Sequence, residues 1–206
     1  MKFTIPNQLT VIRILLTPVF LWLFLQNDPT SLLWAAIVYF AASLTDWYDG
    51  YIARRFNLVT RWGQFMDPLA DKLLVSSALI VFAHEDYIYW WMVWIIIGRD
   101  FIITFLRIFA LYIGKPIITS MFARWKTFIQ MVFTFAFLIY INIPGLQDIH
   151  LSRTEHPWYL WTNLMLTVVV LLTLFSGIQY LWANFSHVSE LFRRAGKFFV
   201  RNSQKD

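Results

Sequence analysis

Six apolar stretches separated by short polar or charged segments organise the chain, at roughly 8–26, 31–52, 67–84, 88–113, 122–143 and 158–183. Each is long enough, or nearly so, for the roughly 20 helical residues that cross a bilayer. The pattern predicts an all-α integral membrane protein with six transmembrane helices. No internal repeat, low-complexity run or dividing linker interrupts it, so residues 1–183 read as one six-helix domain. Residues 184–206 form a basic tail in which Phe185, Val188, Leu191, Phe192, Phe198 and Phe199 alternate with arginines and lysines. Two readings of that tail stand side by side: an amphipathic helix on the inner membrane surface, or a frayed basic segment that fixes topology.

Composition agrees with the apolar pattern. Hydrophobic residues make up 59% of the 206, aromatic residues 19%, and the mean hydropathy is +0.57, more than a soluble core of this size requires. The absence of cysteine excludes disulfides and thiolate metal sites. Lys2 precedes an apolar run as in a signal peptide, but Gln26-Asn27-Asp28-Pro29 offers no small-residue cleavage site, which favours a retained first span.

Charge distribution sets the expected orientation. Arg54, Arg55, Arg61 and Lys72 follow the second span, Lys115, Arg124 and Lys126 the fourth, and Arg193, Arg194, Lys197, Arg201 and Lys205 the sixth. The alternate connections contain Arg153 as their one basic residue. By the positive-inside rule both termini face the cytoplasm of a bacterial-type inner membrane, and Trp90, Trp91, Trp94, Trp158 and Trp161 anchor the opposite interface. The net charge of +5 is accounted for by this bias and by anionic headgroups, and calls for no nucleic acid.

Against this apolar background four carboxylates stand out. Asp46 and Asp49 are three residues apart and Asp67 and Asp71 four apart, so on helices each pair shares one face. Two adjacent helices could aim all four at one point, where bare carboxylates would repel. Either some are protonated or divalent cations neutralise them. Gly50 and Ala53 leave room beside Asp49, and Arg54 can hold a phosphate in bidentate fashion. Pro68 suits an early turn of the third helix. The equipment fits attack on a diphosphate at a membrane surface, with two cations clamping the diphosphate and one aspartate taking a proton from an incoming hydroxyl. Helix caps or structural ion pairs would account for one such acid less awkwardly than for four. His84, His150, His156 and His187 fall in connections or at interfaces without metal-ligand spacing.

The array Asp46-x2-Asp49-Gly50-x2-Ala53-Arg54-x8-Gly63-x3-Asp67-x3-Asp71 resembles the signature of the CDP-alcohol phosphotransferase family, with every position filled. The resemblance implies a six-helix membrane fold, a homodimer, and an active site open to the cytoplasmic leaflet. It implies that Asp46, Asp49, Asp67 and Asp71 hold two divalent cations, Mg2+ or Mn2+, and that Asp71 is the base. Gly50, Ala53, Arg54 and Gly63 would border the cytidine diphosphate of CDP-diacylglycerol, with Thr60 adding a hydroxyl. The segment Pro6-Asn7-Gln8-Leu9-Thr10-Val11-Ile12-Arg13 is similar to the family's N-terminal stretch, which places Asn7 and Thr10 near the nucleotide; both could equally cap the first helix.

Arginines in a span are costly unless paired or hydrated, and Arg99 and Arg107 lie in the fourth while Lys126 opens the fifth. A phosphate-bearing acceptor would give these cations a purpose. The segments from Arg99 to Arg107 and from Ala123 to Met131 resemble the bacterial branch of the family that makes phosphatidylglycerophosphate, with Asp100 in place of the usual glutamate and Ala123-Arg124 in place of Gly-Lys. That branch implies glycerol 3-phosphate as acceptor and Arg99, Arg107 and Lys126 as its phosphate ligands. The alternatives are another acceptor, namely phosphatidylglycerol, inositol phosphate or serine, an intramembrane prenyltransferase, or a divalent-cation transporter. A transporter would spread its acids through the bilayer depth, whereas these gather at one edge.

Overall fold

The apolar stretches become helices in the computed structural model, which describes residues 5–56, 61–112, 121–143 and 157–183. All regular structure among the described residues is helical: α1 (Ile5–Leu25), α2 (Pro29–Arg55), α3 (Arg61–His84), α4 (Trp90–Tyr112), α5 (Met121–Ile141) and α6 (Pro157–Ala183). Each coincides with one of the six predicted stretches. The tail and Thr60 lie outside the described residues, as do the side chains of Asp49, Ala53 and Arg54.

Helix ends depart from the hydropathy edges where the chemistry lies. Helix α2 runs to Arg55 and α3 starts at Arg61, so the polar motif is helical almost throughout. Pro68, expected in the opening turn of the third helix, is the eighth residue of α3. There it has no N–H to give the carbonyl four residues earlier, in the turn between Gly63 and Asp67.

At the opposite end, short turns are set by local hydrogen bonds. Asn27 takes φ 58°, a left-handed conformation that asparagine tolerates. Asp28 then caps α2, its Oδ2 accepting from the Ser31 N–H at 2.9 Å, with Pro29 in the first helical position. Hydrogen bonding from Ser31 holds the half-buried Asp28 carboxyl below its ordinary pKa. Asp86 (φ 57°) closes α3, the Tyr87 N–H reaching back to the Phe82 carbonyl at 2.8 Å. The Asn27 side chain donates to Glu85 at 2.6 Å and ties the two turns together.

Helix α1 packs on α2 and α3, and α6 packs on α4 and α5. Between them runs a column of aromatic rings: Phe20 against Tyr39 (5.3 Å), Phe24 against Phe82 (5.5 Å) and Phe82 against Phe137 (4.6 Å), all buried. Phe82 therefore joins three helices. Phe82→Ala is expected to lower stability by about 3 kcal/mol through the void it leaves, and Trp22→Ala, on an exposed face, by less than about 0.5 kcal/mol. Thermal unfolding of the two variants in detergent checks the contrast.

The outer surface is apolar to a degree that water does not favour. Leu15, Trp22, Ile102, Leu171 and Trp182 are all exposed. Among the described residues, two helical segments, Asn7–Leu25 and Leu160–Trp182, are long and apolar enough to cross a membrane. Helices α2, α3 and α4 carry most of the charged residues described next, with Arg13 on α1 and Lys126 on α5.

Candidate active site

Helix α1 supplies the first two polar groups. Thr10 and Arg13 are three residues apart and share a face that is buried against α2 and α3. The Thr10 hydroxyl donates to Asp67 on α3, and Arg13 Nη1 meets Asp46 Oδ1 on α2 at 2.7 Å. Arg13 is wholly buried, whereas the Asp46 side chain is 34% exposed. Asp46 also lies close enough to the carboxylates of Asp71 and Asp67 to be repelled by both. Three of the four expected aspartates are thus brought to one locus by α2 and α3. Asn7 is buried, as is Gly63. Because α1 is already helical from Ile5, neither Asn7 nor Thr10 serves as its N-cap.

The donor set is entirely carboxylate oxygen, the kind that hard divalent cations such as Mg2+ or Mn2+ take. Among the described residues no three acidic or histidine side chains converge as closely as metal ligands do. Each aspartate instead meets a group of the protein: Asp46 meets Arg13, Asp67 meets Thr10, and Asp71 meets Lys72, whose Nζ lies 3.2 Å from Oδ2. The Asp49 side chain, the fourth expected ligand, lies outside the described residues.

Asp71 also lines a cavity of about 460 Å³, within the usual range for a small-ligand site. Asp100, Ile103, Thr104 and Arg107 line it at positions i, i+3, i+4 and i+7, one face of α4, and Lys72, Arg99 and Tyr180 complete its polar wall. At its base Asp100, 3% exposed, accepts from Lys126 Nζ at 2.6 Å on both oxygens and from Arg99 Nη1 at 3.0 Å on Oδ1. Lys72 Nζ lies 3.9 Å from Asp100 Oδ2, between that carboxylate and Asp71. Of the three cations expected to bind an acceptor, Arg99 and Arg107 face the cavity. Lys126 is fully buried behind Asp100 and does not line it.

Comparison of the sequence with known proteins matches the chain to a family. The model of the CDP-alcohol phosphatidyltransferases matches residues 3–175. The chain belongs to the CDP-alcohol phosphatidyltransferase family. Among its curated relatives is a Bacillus subtilis (strain 168) protein, 38% identical over 194 residues that cover 88% of this chain and 95% of the relative. A second, from Escherichia coli (strain K12), is 36% identical and covers 89% and 96%. A third, from Haemophilus influenzae, is 34% identical and covers 88% and 93%. All three are named CDP-diacylglycerol--glycerol-3-phosphate 3-phosphatidyltransferase.

In this member of the family, sequence reasoning gave no site role to four residues that the fold brings in. Arg13 carries a signal that could have found it: a lone arginine in an otherwise apolar span, one turn past Thr10, requires a buried partner. Lys72 reads as an orientation signal, although its place beside Asp71 sets it in the cavity wall. Ser176 and Tyr180, from an α6 that contains no charged residue, have no signal that separates them from packing residues.

Proposed function

We propose that this protein transfers the phosphatidyl group of CDP-diacylglycerol to glycerol 3-phosphate in phospholipid biosynthesis, releasing CMP and leaving phosphatidylglycerophosphate. The observation that carries this reading is a cationic cavity that meets the aspartate cluster at Asp71. The names of the relatives favour the same pair of substrates. An acceptor whose phosphate lies against Arg99, Arg107 and Lys72 would hold its hydroxyl toward Asp71. A neutral alcohol would bring no negative charge to a wall where Asp71 and Asp100 face Lys72, Arg99 and Arg107.

In this mechanism Asp71 accepts the proton of the acceptor hydroxyl as its oxygen attacks the lipid-side phosphorus. The new P–O bond forms in line with the bond that breaks, and the electron pair of the latter leaves with CMP. Asp46, Asp49, Asp67 and Asp71 would hold two Mg2+ or Mn2+ ions, which when bound neutralise the diphosphate and the charge that develops on it. Asn7, Thr10, Gly50, Ala53, Arg54, Thr60 and Gly63 border the donor's cytidine diphosphate. Arg13 orients Asp46 from behind. The six helices span a bacterial inner membrane with both termini and the site on the cytoplasmic side, and the exposed apolar faces meet lipid or the second copy of a homodimer.

CMP release by purified protein in detergent tests the reading, with CDP-diacylglycerol, magnesium and, in turn, glycerol 3-phosphate, inositol phosphate, serine and phosphatidylglycerol. Release with glycerol 3-phosphate alone is expected, and its loss on adding a chelator supports the metal assignment. Release with a different acceptor overturns the acceptor but keeps the chemistry. Arg107→Ala is expected to raise the KM for glycerol 3-phosphate at least about tenfold, the cost of losing a charge-assisted hydrogen bond, with little change in the KM for CDP-diacylglycerol. An unchanged acceptor KM would remove Arg107 from the site.

A further inference from the structure

Arg99 is held from two helices at once. Its Nη1 donates to Asp100 on its own helix at 3.0 Å, and its Nη2 donates to the Ser176 hydroxyl of α6 at 2.8 Å. The Ser176 hydroxyl in turn donates to the Thr173 carbonyl at 3.2 Å, which leaves its lone pairs for the guanidinium. The residue after Ser176 is Gly177, in the interior of α6, where glycine weakens a helix relative to alanine. The stem of Arg99 lies close against the space that a side chain there would take. A Cβ on Gly177 would lie 3.3 Å from Arg99 Cγ and 3.5 Å from Nε.

We propose that Ser176 and Gly177 are positioning residues for Arg99, fixing the angle at which its guanidinium enters the cavity and so the affinity for the acceptor's phosphate. The inference rests on the cavity being the acceptor site. Gly177 lets the arginine stem lie on the bare backbone of α6, and Ser176 holds the far end of the fork against the pull of Asp100. With both ends of the guanidinium bonded, an added methyl group asks the stem to give by a few tenths of an ångström against these two bonds. Helix α6, apolar and without charge, thereby acts on a polar site through one hydroxyl and one missing side chain.

The test is steady-state CMP release by purified full-length variants in detergent, with glycerol 3-phosphate and CDP-diacylglycerol varied separately. Gly177→Ala and Ser176→Ala should each raise the KM for glycerol 3-phosphate about fivefold, the scale of one weakened hydrogen bond, while kcat and the KM for CDP-diacylglycerol stay within about twofold. Ser176→Thr, which keeps the hydroxyl, should restore the acceptor KM. In an Arg99→Ala background neither substitution should change anything further, because the group that they position is gone. Equal losses in that background would mean that Gly177 and Ser176 serve helix packing, and unchanged KM values in the single variants would also overturn the proposal. Ser176→Ala removes a single oxygen, so it keeps the test decisive if Gly177→Ala fails to fold. If wild-type protein uses another acceptor, the acceptor reading fails by itself and the clamp is judged on that acceptor's KM; release with none overturns both.

Discussion

Replacing Asp71 with asparagine should lower CMP release at least about a thousandfold, because one side chain carries two roles in the proposed reaction, proton acceptor and cation ligand. Asparagine keeps the shape and can still bind by its carbonyl oxygen, but it carries no charge and takes no proton. Asp71 suits this experiment better than Asp46. Arg13 is wholly buried and meets Asp46 at 2.7 Å, so Asp46→Asn would strand a buried guanidinium and mix a folding defect with a chemical one. The partner of Asp71 is Lys72, at 3.2 Å and itself partly exposed, and it retains Asp100 nearby. The variant should therefore unfold within a few degrees of the wild-type temperature while losing turnover. Normal CMP release from well-folded Asp71→Asn would sink both of its assignments.

Much of the architecture is legible in the chain because six apolar stretches, each about the length of a helix of 20 residues or more, stand apart in the sequence, and each becomes one helix. The helix ends were less so. Hydropathy ends the second stretch at 52 and begins the third at 67, but the polar residues beyond those edges stay helical, which carries α2 to Arg55 and brings the start of α3 back to Arg61. Pairings across helices were less legible still. Spacing puts Asp67 and Asp71 on one face but cannot tell that Thr10 meets Asp67, or that Lys126 turns to Asp100 instead of to the cavity. Those outcomes depend on which faces of α1, α3, α4 and α5 meet, a tertiary property. Ser176 and Gly177 were invisible for a simpler reason: in an apolar helix a Ser-Gly pair has the composition of a packing contact.

Removing Asp100 should be the most destabilising change at the site. Lys126 is fully buried, with both oxygens of Asp100 at 2.6 Å, and Arg99 leans on the same carboxylate. Asp100→Ala leaves the Lys126 ammonium buried without its counter-charge, a loss of about 3–5 kcal/mol by analogy with broken buried ion pairs. Exchanging the lysine as well, in Asp100→Ala with Lys126→Met, removes the stranded charge and should recover most of the stability. Thermal unfolding in detergent checks both steps. The double variant should nevertheless keep a raised KM for glycerol 3-phosphate, because Arg99 has lost one of its two anchors whether or not Lys126 is charged. Stability that returns without the acceptor KM separates the two duties of Asp100, neutralising a buried lysine and aiming an arginine. If the single variant is as stable as wild type, the carboxylate is not what offsets the buried lysine. If the double variant recovers the acceptor KM along with its stability, Asp100 serves the fold alone, and Arg99 is aimed from α6 without it.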